Sequence, residues 1–163
     1  MDATNRRAAA RQLLEVMPLV MRAIAFEVRR TDHGLVPAHF RVMRMLDRHE
    51  CSLSELAGRQ AVRLPTASKS ISTLVGRGWV ARLPSDRDRR QVRVALTPEG
   101  EAALRRMNRA IEGRLARLLG AATPEEVDHL TDGLGVLRRT LEPQSMLGAP
   151  SRPMLAPRHR ASR

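Results

Sequence analysis

The stretch from Leu64 to Leu96, LPTASKSISTLVGRGWVARLPSDRDRRQVRVAL, constrains this chain more than any other. Two hydrophobic periods meet inside it. In the first half Ala67, Ile71, Leu74 and Val75 recur at helical spacing, with Pro65 suited to a first helical position. Thr66, Ser68, Lys69 and Ser72 fall on the opposite side, so the outer face carries short polar groups and one cation. After Arg77-Gly78 the pattern changes to alternation. Trp79, Ala81 and Leu83 are expected to point to one side, and Val92, Val94 and Leu96 to the same side on a return strand. The SDRDRRQ segment between them is too charged to pack inside a core.

A helix so bare of bulk can enter a DNA major groove, where hydroxyls and a cation meet base edges and phosphates. Helix, glycine turn and arginine-tipped hairpin together suggest a winged helix-turn-helix. Upstream, Ser52-Leu53-Ser54-Glu55 reads as a capping box opening the first helix of that pair.

Charge supports the assignment. The net charge is +12, and residues 52–97 hold half of it, with nine Lys or Arg against three acids. Residues 98–141 are neutral, with seven charges of each sign. A local excess of this kind favours counterion displacement from phosphates. With two Phe, one Trp and no Tyr, the chain lacks the aromatic platforms that stack single-stranded bases, so duplex DNA is the expected partner. A single cysteine excludes an internal disulfide framework and fits a reducing compartment. No apolar run approaches the ~18 residues of a membrane span, and the N-terminus lacks a signal-peptide core. A cytoplasmic protein with no membrane association is expected.

The rest of the chain reads as helices. Residues 1–12 are polar and expected to be flexible. An apolar series from Leu13 to Val28 makes a helix that Pro18 should start or kink and Gly34 should close. A second helix fits Ala38 to about His49 behind Pro37. Thr97-Pro98-Glu99 caps a helix along Leu104, Met107, Ile111, Leu115 and Leu118, with Gly120 as its stop. Thr123-Pro124-Glu125-Glu126 repeats the cap before Val127, Leu130, Leu134, Leu137 and Leu141, a 3-4 seam of the kind that helix pairing uses. Pro143 is expected to end the ordered chain, leaving 142–163 as a disordered basic tail. The resulting division is dimerisation helices at 13–36 and 98–141 around a DNA-binding domain at 37–97. Terminal helices flanking one winged helix point to a homodimer on a pseudo-palindromic site.

These residues resemble the MarR (multiple antibiotic resistance regulator) family of bacterial transcription factors, over about residues 13–141. The resemblance rests on Pro65, Thr66, Ser68 and Lys69; on Leu74, Arg77, Gly78, Trp79 and Val80; on Asp88 and Arg90 at the wing tip; and on Leu96, Thr97 and Gly100. It implies a homodimer held by terminal helices, with Thr66, Ser68 and Lys69 in the major groove and Arg90 in the flanking minor groove. It also implies that Asp88 braces the tip arginine or Arg77 rather than touching DNA. Arg87 and Arg89 join Arg90 among the DNA-binding candidates, as does Ser72. Lys69 stands where the family has arginine, and Arg63 where it often has a capping hydroxyl; Arg63 is then a candidate phosphate contact. The family's effector pocket makes Arg22 and His39 candidate ligand-binding residues for a small aromatic or lipophilic molecule. The function implied is that of a ligand-released repressor. An architectural DNA binder and a helical protein-interaction module are the alternatives.

No cofactor or catalytic motif is present, so an enzyme is not expected. Cys51 beside the cap at Ser52 is expected to be structural rather than a redox sensor, and Asp47, His49, Glu50 and Cys51 make a weak metal cluster, so no metal is expected.

Overall fold

The computed structural model describes residues 3–31, 34–84 and 92–146. The chain forms two units, residues 1–121 and 122–163.

The first unit contains α1 (Ala3–Thr31), α2 (Pro37–Leu46), β1 (Cys51–Ser52), α3 (Leu53–Arg59), α4 (Leu64–Gly76), β2 (Val80–Pro84), β3 (Val92–Leu96) and α5 (Pro98–Leu118). Its core gathers Val28 from α1, Val42 and Met43 from α2, Leu56 from α3, Ile71 and Leu74 from α4, Val80 and Val94 from the sheet, and Leu104 and Met107 from α5. The helical spacing read from α4 matches the face it buries, and that of α5 does so through Ile111, whereas Leu118 at its end is exposed. Burying side chains of this size stabilises by about 1.5–3 kcal/mol each.

Two N-caps form as their sequences direct. Ser52 Oγ accepts from Glu55 N at 3.2 Å while a Glu55 carboxylate oxygen accepts from Ser52 N at 2.7 Å. Thr97 Oγ1 accepts from Gly100 N at 3.0 Å and donates to the Gly78 carbonyl at 2.6 Å. The second cap therefore also pins the turn that follows α4.

Three expectations need correction. First, α1 begins at Ala3, not Leu13, and passes through Pro18 without a break. Pro18 removes one hydrogen bond, but the Arg, Ala, Gln and Leu residues before it are strong helix formers. Second, the hairpin register pairs Val80 with Leu96, Arg82 with Val94 and Pro84 with Val92. Directly opposed residues share a face, so Val92, Val94 and Leu96 lie with Val80 and Arg82, and Ala81 and Leu83 lie on the other side. Val80 is buried, whereas Leu83 is exposed. A shift of one residue in a period-two pattern exchanges the faces. Third, the sheet has three strands, in the order β1-β3-β2, because Cys51 and Ser52 pair with Val94 and Arg93. Arg93 reinforces that edge, donating from Nε to the Glu50 carboxylate and from Nη2 to the Glu50 carbonyl, both at 2.8 Å.

The second unit contains α6 (Pro124–Met146). Thr123 and Glu126 form its reciprocal cap at 3.3 and 2.8 Å. The helix runs past Pro143, where the sequence suggested that order ends, by one further turn. The rest of the expected basic tail lies outside the described residues. Leu130, Leu134 and Leu141 of the leucine seam are exposed, as are Leu14, Val16 and Leu19 on α1.

Candidate nucleic-acid interface

The helix-turn-helix is built by α3, a four-residue turn and α4. In the turn, Ala61 N donates to the Gly58 carbonyl and Val62 N to the Ala57 carbonyl, each at 3.1 Å. Closing it this tightly places Ala61 at φ 51°, the one non-glycine residue with positive φ among those described. Arg63 then adopts an extended conformation as the N-cap of α4, its carbonyl accepting from Thr66 N at 3.0 Å. Its side chain makes no capping hydrogen bond and is exposed.

One face of α4 is held by Ala67, Ile71 and Leu74, all buried. That fixes the rotation of the helix and turns the other face outward. Thr66, Lys69 and Ser72 are exposed on it and Ser68 is half-buried. The structure therefore brings five sequence-identified candidates, Arg63, Thr66, Ser68, Lys69 and Ser72, onto one short helix and its cap. The four wing candidates, Arg87, Asp88, Arg89 and Arg90, lie outside the described residues.

Arg77, expected to be a bracing residue, lies at the base of the wing. Its guanidinium sits over the Trp79 ring, 5.4 Å from the centroid. It also packs beside Gly34, whose φ of 89° favours glycine; a Cβ there would approach Arg77 Nη2 to 3.1 Å. The charge of Arg77 reaches His39, and both burial and that charge hold the imidazole below its ordinary pKa, burial contributing more.

The two effector candidates are not brought together. His39 lies at the start of α2, 8% exposed, where Nδ1 accepts from Val36 N at 3.4 Å. It lines neither of the two clefts described next, because capping α2 turns the ring back onto its own helix. Arg22 lines a cleft of about 330 Å³ with Leu19, Ala23, Phe26 and Arg114. A larger cleft of about 410 Å³ lies where α1, α2 and α5 meet, with Ile24, Phe40, Ile111 and Leu115 as apolar lining and Arg41, Arg44, Asn108 and Glu112 as polar lining. Sequence reasoning missed this second set, since its members come from three separated helices.

Arg82 was also missed. From β2 it donates through Nη2 to Ser72 Oγ at 2.9 Å, joining the wing to the outer face of α4. Its position two residues after the buried Val80 was the available signal, since both lie on the sheet face turned toward the helices.

Cys51 is buried, and burial, followed by the nearby Glu55 carboxylate, raises its thiol pKa. Low-pKa, accessible thiols are the reactive ones, and Cys51 is the opposite. Among the described residues no three His, Cys, Asp or Glu side chains are placed to share a metal ion, and no helix is long and apolar enough to cross a membrane.

A family model described as MarR family matches residues 33–91. Over 117 residues the chain is 29% identical to the HTH-type transcriptional repressor MdtR of Bacillus subtilis (strain 168), spanning 69% of this chain and 76% of that protein. The apo form of wild-type MarR from E. coli superposes with a TM-score of 0.68 at 25% identity, over 78% of this chain and 95% of that one. A mutant MarR from E. coli complexed with operator DNA superposes with a TM-score of 0.58 at 25% identity, over 84% and 99%. The family match falls on the helix-turn-helix and wing, the curated relative is a transcriptional repressor, and the fold agrees along most of the chain: this protein resembles the MarR family of transcriptional regulators in its DNA-binding segment and shares the fold of MarR along most of its length.

Proposed function

We propose that this chain is a homodimeric, sequence-specific DNA-binding repressor that a small aromatic or lipophilic molecule releases from a pseudo-palindromic operator. The observation that carries DNA binding is the outer face of α4, where core packing at Ala67, Ile71 and Leu74 leaves Thr66, Ser68, Lys69 and Ser72 turned outward behind an exposed Arg63. These groups can reach base edges and phosphates in a major groove. The wing arginines Arg87, Arg89 and Arg90 would add contacts to the flanking groove, with Asp88 bracing them. The similarity to a MarR bound to operator DNA supports this assignment.

One winged helix meets one half-site, and two copies read a symmetric site when their recognition helices sit one helical turn apart. The apolar residues left uncovered on α1 and α6 support pairing with a second copy. Release requires an effector that prefers the DNA-incompetent form. The cleft between α1, α2 and α5 supports such a site, since its walls come from helices on both sides of the DNA-binding segment. This reading favours the cleft over the pairing of Arg22 with His39.

The test is selection of bound duplexes from a randomised pool, followed by footprinting. Two symmetric half-sites one helical turn apart are expected. A specific-to-nonspecific affinity ratio near unity would instead make the chain an architectural DNA binder. A pure protein that sediments as a monomer and selects no DNA would make it a protein-interaction module.

A further inference from the structure

We propose that Arg82 is a positioning residue that sets the hydrogen-bonding sense of Ser72, so that this part of the recognition surface selects a hydrogen-bond acceptor on the DNA. The inference rests on the reading of α4 as the recognition helix and adds to it a residue on the wing strand.

The geometry follows from the register. Arg82 is paired with Val94 and lies two residues beyond the buried Val80, on the sheet face that packs toward the helices. At that position an apolar side chain would extend the core. Arginine instead reaches past the core to α4 and donates from Nη2 to Ser72 Oγ at 2.9 Å. Ser72 lies three residues after Lys69 and four after Ser68, so the three share one stripe of the helix. Both Arg82 and Ser72 are exposed, so the pair sits at the surface that would meet DNA.

A serine hydroxyl has one proton to donate and lone pairs to accept with, and its rotor ordinarily adapts to either role. A guanidinium has donors only. With Arg82 donating to Ser72 Oγ, the hydroxyl proton is directed away from the guanidinium, and among the described residues it meets no acceptor. One lone pair of Ser72 is thereby taken and its proton left free, which biases the hydroxyl toward donating outward, polarised by a charged neighbour. Arg82 and Lys69, both exposed, carry donors only. A hydroxyl biased toward donating, beside the donor-only Arg82 and Lys69, favours guanine O6 and N7 or thymine O4 over the amino groups of adenine and cytosine.

The same guanidinium is a fixed cation at the junction of helix and wing. It contributes to affinity through counterion release whatever the sequence. The two effects are separable because one depends on the base pair and the other on salt.

The experiment selects duplexes from a randomised pool with the full-length wild type, then measures affinity for the selected site and its single-base variants across a salt series. The proteins compared are wild type, Ser72→Ala, Arg82→Met, Arg82→Lys and the Ser72→Ala/Arg82→Met double variant. Ser72→Ala and Arg82→Met are expected to relax preference at the same base pair by about three- to tenfold, and the double variant to relax it no further. Arg82→Met also lowers the salt slope by about one unit per protomer, whereas Ser72→Ala leaves it unchanged. Arg82→Lys, which can still donate to Ser72, restores both. The inference is overturned if Arg82→Met keeps wild-type preference at every base pair, or if it and Ser72→Ala relax different base pairs. If the wild type enriches no sequence, the recognition-helix reading itself falls and takes this inference with it. Matching thermal midpoints exclude misfolding as the cause.

Discussion

The first turn of α5 approaches the Trp79 carbonyl so closely that a Cβ on Gly100 would overlap its oxygen. The contact sits where Thr97 caps α5, binds the Gly78 carbonyl and donates from its own N–H to the Trp79 carbonyl at 3.0 Å. The glycine is therefore a packing requirement that locks the wing base to the long helix behind it. Gly100→Ala should lose about 2–3 kcal/mol of unfolding free energy in urea melts, the upper part of the overpacking range. Gly58→Ala supplies the contrast: nothing lies within 4 Å of a Cβ there, and it should gain about 0.5–1 kcal/mol. Equal effects at the two sites would contradict the steric account.

Ala61 carries left-handed backbone in the turn between α3 and α4. For an L-residue that conformation costs about 1–2 kcal/mol. Ala61→Gly relieves the strain but adds about 0.4–1 kcal/mol of unfolded-state entropy, so it should be neutral to stabilising by up to about 1.6 kcal/mol. Ala61→Val should be clearly destabilising, because β-branching makes positive φ worse. Denaturant midpoints of the two variants decide the point.

His39 is favoured as the neutral form in the folded protein, because burial and Arg77 both disfavour its proton. Its folded pKa is below its unfolded one. The contribution to stability is therefore complete above the unfolded value, about 6.5. It declines as pH falls below that value, where the unfolded chain takes up a proton and the folded chain does not, and it levels off below the folded pKa. Urea midpoints at successive pH values from neutral to mildly acidic should fall for the wild type and fall less for His39→Gln, which keeps an acceptor for Val36 N. Identical slopes would contradict a buried neutral imidazole.

Cys51 should react slowly with an aromatic disulfide reagent in the native state and promptly in denaturant, since its thiol is buried and its pKa raised. Native reaction as fast as that of the unfolded chain would show that β1 opens readily from β3.

Leu134 lies at the middle of the α6 seam and is 55% exposed. A charge there leaves the helix intact but penalises apolar burial against a second copy. Leu134→Asp should shift sedimentation from dimer toward monomer at micromolar concentration and lower operator affinity in parallel. An unchanged dimer would remove the α6 seam from the proposed interface.

Much of this protein was decided locally and could be read from residue order. The caps at Ser52, Thr97 and Thr123 join groups three residues apart, and the buried face of α4 follows from helical spacing, so neither needs a distant partner. The polar face opposite, from Arg63 to Ser72, comes with it. What tertiary structure alone decided depends on partners far along the chain. The hairpin faces were misread because alternation repeats every two residues and only pairing with β3 fixes which set turns inward. The third strand is two residues long, too short to have a period of its own. The joining of Arg82 to Ser72, the turning of His39 onto α2, and the cleft between α1, α2 and α5 each require side chains to meet through the packing of a common core. Periodicity within one element carries no record of such meetings.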